Sequence, residues 1–174
     1  MRGSGMGDGM TNLSVHYSSE TPEHYTPKHI IDAAIECMGA IDLDPCSNSI
    51  VTPNVPASMH YIKKDDGLSL PWRGRVYMNP PYGRGIGSWT YKLLMEYRAE
   101  RTSQAVALLP GRIDTQWIRV LKDFPRCEIA GRLKFIGNTG PAPFPSVVYY
   151  LGHDFDSFHS AFRAHGDIWQ RVWI

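Results

Sequence analysis

The chain has 174 residues, of which 43% are hydrophobic and 20% are charged, and its formal net charge is +1. This length suits one domain with a hydrophobic core, and the composition is that of an ordinary globular protein. The sequence shows no apolar run of membrane-spanning length, no signal peptide and no Cys–His spacing typical of a metal site, so we expect neither a membrane partner nor a metal.

Positive charge is concentrated in the middle of the chain. Residues 71–135 contain 12 Lys/Arg against 5 Asp/Glu, whereas residues 1–70 contain 4 against 9. A local basic region can hold phosphate groups even on a nearly neutral protein. A scatter of solvated surface charges explains the same asymmetry equally well.

The first half of the chain opens with a Gly- and Ser-rich stretch, residues 1–19, which we expect to be a flexible leader before a folded domain of residues 20–174. Thr26 can then cap a helix that has Pro27 in its first turn and ends at Gly39. The next predicted elements are a strand over 40–46, an irregular stretch over 47–64, a turn over 65–68 and a strand over 75–78.

The second half alternates strands with helices. The predicted elements are a helix over 86–101, a strand over 104–110, a helix over 114–123, strands over 127–135 and 146–152, a helix from 155 to 166 and a strand over 168–174. Such alternation predicts an α/β layered domain with a mostly parallel central sheet.

Three polar clusters directly follow strand-like segments. They lie at residues 42–48, 79–82 and 110–112. Ligands of an open α/β sheet bind beyond the carboxyl ends of its strands, so we expect the three clusters to gather at one edge.

The cluster Asn79-Pro80-Pro81-Tyr82 has the chemistry to hold a planar amino group. The Asn79 side-chain oxygen and the Pro80 carbonyl are acceptors, the two prolines restrict the backbone, and the Tyr82 ring can stack on a base. The exocyclic amine of adenine fits this description. When both of its protons are held in hydrogen bonds, the amine favours a more tetrahedral nitrogen, whose lone pair can attack a carbon electrophile. An ordinary turn with a structural tyrosine is the alternative.

A series of motifs in this order resembles the phage-type DNA N6-adenine methyltransferase (Dam-like) family, which uses S-adenosylmethionine. The motifs are YTP (25–27), IDLDPCSN (41–48), DDGLSLPW (65–72), VYMNPPYG (76–83), ALLPGRIDTQW (107–117), GRLKF (131–135) and APFPS (142–146). The resemblance covers about residues 20–152. It implies a Rossmann-like class I methyltransferase fold in a single compact domain, a DNA partner and a location in the cytoplasm of a bacterium or phage-infected cell.

The resemblance also implies roles for individual residues. Asn79 and Pro80 would accept the N6 protons, and Tyr82 would stack on an adenine flipped out of the helix. The cofactor would be bound by Tyr25, Thr26, Pro27, Asp44, Pro45, Cys46, Ser47 and Asp66. The DNA would be contacted by Arg84, Arg112, Arg132, Lys134 and Phe144.

Three of the cofactor contacts have a specific chemical role by resemblance. Thr26 would meet the methionine carboxylate, Asp44 would pair with the methionine ammonium, and Asp66 would accept from the adenine amino group of the cofactor. No Gly-x-Gly follows the first strand, and residues 49–64 offer no clear second strand with an acidic residue for the ribose.

Two other functions are compatible with the same residues. The acceptor pair could hold an RNA base or a glutamine amide of a protein instead of DNA adenine. A non-catalytic nucleic-acid-binding module, in which residues 79–82 form only a turn, is the other alternative.

Overall fold

The computed structural model describes residues 24–172, and the expected leader lies outside these residues. The described part contains the helices α1 (Lys28–Met38), α2 (Ile86–Arg98), α3 (Gln116–Arg119) and α4 (Phe155–Phe162). It also contains the strands β1 (Ile41–Asp44), β2 (Ala57–His60), β3 (Gly74–Met78), β4 (Thr102–Pro110), β5 (Arg126–Ile129), β6 (Ser146–Leu151) and β7 (Gly166–Trp169).

All seven strands form one sheet in the order β2-β1-β3-β4-β6-β5-β7. Strands β2, β1, β3 and β4 run parallel to one another, but β6 is antiparallel to both β4 and β5, and β7 is antiparallel to β5. The prediction of a mostly parallel sheet is therefore wrong, because the sheet is mixed. The physical reason is the β5–β6 connection, which contains no crossover helix and so joins antiparallel neighbours.

Helices cover both faces of the sheet. On one face α1 and α4 pack against alternate sheet residues such as Tyr77, Val106 and Leu108. On the other face α2 and α3 pack over the intervening residues, among them Val76 and Leu109. Strand β4 is buried on both faces, which explains its continuous apolar sequence.

Three strands differ from the predictions, and one of them is β7, which covers Gly166–Trp169 instead of beginning at residue 168 and continuing past Trp169. Strand β2 lies inside the stretch expected to be irregular and pairs with β1, with Ile41 opposite Ala57. Its four residues carry no run of alternating apolar side chains, since β2 is a partly exposed edge strand. Strand β5 stops at Ile129 instead of continuing to residue 135, because Gly131 turns the chain with a φ of 72°.

The helix predictions hold in type, but α3 is shorter than the predicted 114–123, and α4 ends at Phe162 instead of Gly166. Helix α1 ends where expected, with Gly39 as its C-cap at a φ of 81°. Its N-cap is Pro27, and no side chain caps it, so the prediction that Thr26 caps this helix is wrong. The Thr26 hydroxyl is committed elsewhere, as described below.

Candidate functional site

A cavity opens between the carboxyl ends of β1 and β3. After β1 the chain passes to β2 on one side and then returns to β3 on the other, so the strand order reverses at this point. Open α/β sheets bind ligands at such reversals. The cavity has a volume of about 400 Å³, within the range of small-molecule sites.

The cavity gathers most of the predicted site residues. It is lined by Asn79, Pro80, Pro81, Tyr82, Tyr25, Thr26, Asp44, Pro45, Cys46, Ser47 and Asp66. Pro27 lies outside the lining, and so do residues 110–112. Two of the three polar clusters therefore meet here, while Gly111 instead donates its backbone N–H to the Pro145 carbonyl at 2.8 Å.

Asn79 lies just beyond β3 with its side chain held in one orientation. Its amide nitrogen donates to the His24 carbonyl at 2.6 Å and to Thr26 Oγ1 at 3.1 Å. Its side-chain oxygen Oδ1 is buried and has no hydrogen-bond partner among the described residues. A buried acceptor without a partner costs about 1–3 kcal/mol, so the fold leaves this oxygen available at a price in stability.

Tyr82 sits in a cluster of rings at the cavity. The ring centroids of His24 and Phe144 lie 5.0 and 5.5 Å from that of Tyr82, and Phe135 lies at 6.2 Å. Burial raises the pKa of the Tyr82 phenol, whose hydroxyl has no partner in the described part of the chain. Because Tyr82 and Phe144 touch in an edge-to-face arrangement, a base between their faces would require these rings to separate.

Asp44 places a nearly isolated carboxylate in the cavity wall. Its side chain is buried and accepts the Cys46 backbone N–H at 3.0 Å. Burial raises the pKa of Asp44 to about 6, against the opposing effects of the Cys46 N–H and of His60. Asp44 forms no ion pair within residues 24–172. A nearby cation would favour the ionised form of such a carboxylate.

The turn that carries Asp66 is held tightly against the cavity. Asp66 adopts a left-handed backbone with a φ of 52°, a conformation that Asp tolerates better than most residues. A side chain on the next residue, Gly67, would place its Cβ 2.3 Å from the Pro45 carbonyl oxygen. The fully buried Trp72 donates its indole N–H to the Gly67 carbonyl at 2.7 Å, which fixes the turn.

Several lining residues escaped the sequence analysis. They are His24, Asn54, Val55, Tyr61, Ile62, Lys63, Gly67 and Trp89. Residues 61–63 reach the cavity because they follow β2, the strand that the sequence did not reveal. The one sequence feature that could have indicated His24 is its position directly before the YTP motif.

Burial also raises the pKa of the Cys46 thiol, and the Asp44 charge adds to this effect. A thiol with a raised pKa is a poor nucleophile, which supports reading Cys46 as a small packing residue.

The sequence matches the model of one protein family, described as DNA N-6-adenine-methyltransferase (Dam), over residues 16–143. The chain belongs to the Dam family. This membership supports DNA adenine-N6 methyltransferase activity and implies a DNA substrate. The α/β architecture with one mixed sheet is consistent with a methyltransferase-like fold. No curated protein matches the sequence significantly.

The residues expected to contact DNA in this Dam-family chain lie outside the cavity lining. Arg84, Arg112, Arg132 and Lys134 are exposed and form no ion pair with another described residue. Phe144 is half-buried beside Tyr82. The four cations are thus accessible to phosphate groups.

Residues 24–172 contain neither a cluster of metal-binding side chains nor a membrane-spanning helix. This part of the chain contains no group of three or more His, Cys, Asp or Glu side chains that could hold a metal ion. It also contains no helix long and apolar enough to cross a membrane.

Proposed function

We propose that the protein transfers a methyl group from S-adenosylmethionine to the N6 amine of an adenine rotated out of DNA. The observation that carries the proposal is the unpaired, buried Oδ1 of Asn79. Both N–H groups of the same amide are already committed, so this oxygen is the acceptor that remains for an incoming amine.

The residues of the cavity fit the proposed cofactor. The buried Asp44 carboxylate matches the ammonium group of the methionine part, because a neighbouring cation would favour the ionised form against the burial that raises the pKa of Asp44. Asp66, held by its turn, offers acceptors for the amino group of the cofactor's adenine. When bound, S-adenosylmethionine supplies an electrophilic methyl carbon.

The reaction needs alignment and charge placement instead of a covalent nucleophile. In the proposed mechanism, Asn79 Oδ1 and the Pro80 carbonyl accept hydrogen bonds from the two N6 protons. These bonds orient the nitrogen lone pair towards the methyl donor. Tyr82 stacks on the base. A base inside a duplex is out of reach of a cavity, so the adenine must leave the stack. As the bond from N6 to the methyl carbon forms, the carbon–sulfur bond of the donor would break to leave a neutral thioether. Loss of one N6 proton to water would then restore a neutral amine.

The exposed basic residues suit the phosphate backbone of the same substrate. Arg84 precedes α2, and Arg132 and Lys134 project from the segment between β5 and β6. Lys and Arg contacts to phosphates position a duplex without reading its sequence. We therefore propose that these residues, with Arg112, hold the DNA over the cavity.

The test is transfer of a labelled methyl group from S-adenosylmethionine to unmethylated DNA, followed by digestion to nucleosides. We expect N6-methyldeoxyadenosine as the labelled product. Asn79→Ala should lower kcat by about 100- to 1,000-fold, the usual cost of removing one preorganised polar contact to the reacting group. A urea-unfolding midpoint close to that of the wild type would show that the variant is folded.

Parallel incubations with RNA and with protein decide between substrate classes. Label in RNA or in glutamine side chains, with none in DNA, would contradict the DNA proposal while keeping the chemistry. If DNA gains no N6-methyladenine and Asn79→Ala leaves all transfer unchanged, the proposed role of Asn79 fails.

A further inference from the structure

We propose that Thr26 is a positioning residue for the reaction, because its hydroxyl and the neighbouring His24 carbonyl set the orientation of the Asn79 amide. This role differs from the cofactor contact that the resemblance implies for Thr26. This inference deepens the proposed function. Its catalytic consequence rests on the proposed function, whereas the orientation of the Asn79 amide does not.

The His24 carbonyl fixes the orientation of the Asn79 side-chain amide. A carbonyl oxygen can only accept a hydrogen bond, and it lies 2.6 Å from the Asn79 side chain. The amide nitrogen must therefore face His24, since an oxygen at that distance would be repelled. Oδ1 is then directed away from His24, and it is the atom without a partner.

The Thr26 hydroxyl provides the second acceptor for the Asn79 amide nitrogen. Its Oγ1 accepts the remaining Asn79 N–H at 3.1 Å and also the Tyr77 hydroxyl at 3.0 Å. Thr26 is 1% exposed and Tyr77 is fully buried, so the hydrogen bond between these two residues is shielded from water. Burial raises the pKa of Tyr77, which keeps its hydroxyl a neutral donor.

The backbone that carries these acceptors is itself held from two sides. The Ile136 N–H donates to the Tyr25 carbonyl at 2.9 Å, and the Asn54 side chain donates to the Thr26 carbonyl at 3.2 Å. The Thr26 hydroxyl does not cap α1, so the hydrogen bonds to Tyr77 and Asn79 account for its burial. Buried polar groups are retained where their partners satisfy them.

The catalytic test compares Thr26→Val with Thr26→Ser. Valine has nearly the shape of threonine but cannot accept, whereas serine can. We expect Thr26→Val to lower kcat by about 10- to 100-fold, as does the loss of other supporting hydrogen bonds, and Thr26→Ser to restore most of it. Thr26→Val introduced into the Asn79→Ala variant should change kcat little further, because the side chain that Thr26 positions is absent.

A second measurement follows the Asn79 amide without any reaction. The side-chain amide pair of Asn79 is assigned in a nitrogen-15 correlation spectrum by its loss in Asn79→Ala. We expect Thr26→Val to shift this pair and speed its exchange with water, and Thr26→Ser to leave it near its wild-type position. Thr26→Cys, with a weakly accepting thiol, should be intermediate and serves if the valine variant does not fold.

The outcomes separate this inference from the proposed function. If Thr26→Val weakens cofactor binding and leaves kcat and the Asn79 resonances unchanged, Thr26 contacts the cofactor only and the inference is overturned. If the wild type methylates nothing while Thr26→Val still shifts the Asn79 pair, the proposed function fails and the positioning role stands.

Discussion

Asp44 is a carboxylate that the fold stabilises poorly in the absence of a ligand, so replacing it should increase stability. Burial raises the pKa of Asp44 from an ordinary 3.8 to about 6. A native pKa above the unfolded one means that the native state binds more protons between these two values. The stability of the wild type therefore falls as the pH rises from about 4 to about 6 and stays reduced above that.

The magnitude follows from the difference between the two pKa values. At about 1.4 kcal/mol for each tenfold change in the proton equilibrium, the ionised carboxylate costs about 3 kcal/mol at pH 8. Asp44→Asn has no charge to desolvate and keeps an oxygen that can accept the Cys46 N–H. We expect the variant to be more stable than the wild type by up to about 3 kcal/mol at pH 8, and by much less at pH 4.5.

Urea unfolding at pH 8 and at pH 4.5 measures this difference. The matched control is Asp42→Asn, on the same strand. Hydrogen bonds from the Arg75 side chain lower the pKa of Asp42 to about 2, so its charge stabilises the fold above pH 4, and the control should lose stability at pH 8. This loss should be small, because the Asp42–Arg75 pair is partly exposed. An Asp44→Asn protein no more stable than the wild type at pH 8 would refute the reasoning.

Three further predictions concern the same cavity. Cofactor affinity should rise as the pH passes upward through about 6, because the ionised Asp44 carboxylate binds an ammonium group, and a flat calorimetric profile from pH 5 to 8 would contradict this. Gly67→Ala should lower the free energy of unfolding by about 1–3 kcal/mol, since its Cβ would collide with the Pro45 carbonyl; an unchanged urea midpoint would show that the turn can move. Trp72→Phe should cost about 1 kcal/mol for the lost hydrogen bond to Gly67, in addition to any loss of packing; a larger effect of Trp117→Phe in the same urea assay would count against it.

Local patterns in the sequence were sufficient for α1 and for the two polar segments that follow β1 and β3. In α1 the apolar residues at helical spacing, Ile30, Ile31, Ala34 and Met38, are buried, whereas Ile35 is only partly buried. The position of polar clusters after strands placed residues 44–47 and 79–82 at one cavity. These features depend on neighbours along the chain, which is why spacing alone reveals them.

The features that were missed depend on contacts between distant parts of the chain. The partners of Asn79 come from residues 24 and 26, more than 50 positions away, and no local pattern indicates that Thr26 would bond to a strand end instead of capping α1. Strand β2 is recognisable only by its pairing with β1. The antiparallel direction of β6 follows from how the β5–β6 segment returns to the sheet.

The direction of β6 has a consequence for how substrate preference could change during evolution. Because β6 runs against β4, its first residue, Ser146, pairs with the last residue of β4, Pro110. The segment of residues 130–145 therefore enters the sheet at the ligand edge, where Asn138 contacts His24. The cavity-lining residues that follow β1 and β3 come from other parts of the chain. Exposed residues of this segment, such as Arg132 and Lys134, could thus change without altering the strand that carries Asp44, provided that Ile136 still donates to the Tyr25 carbonyl.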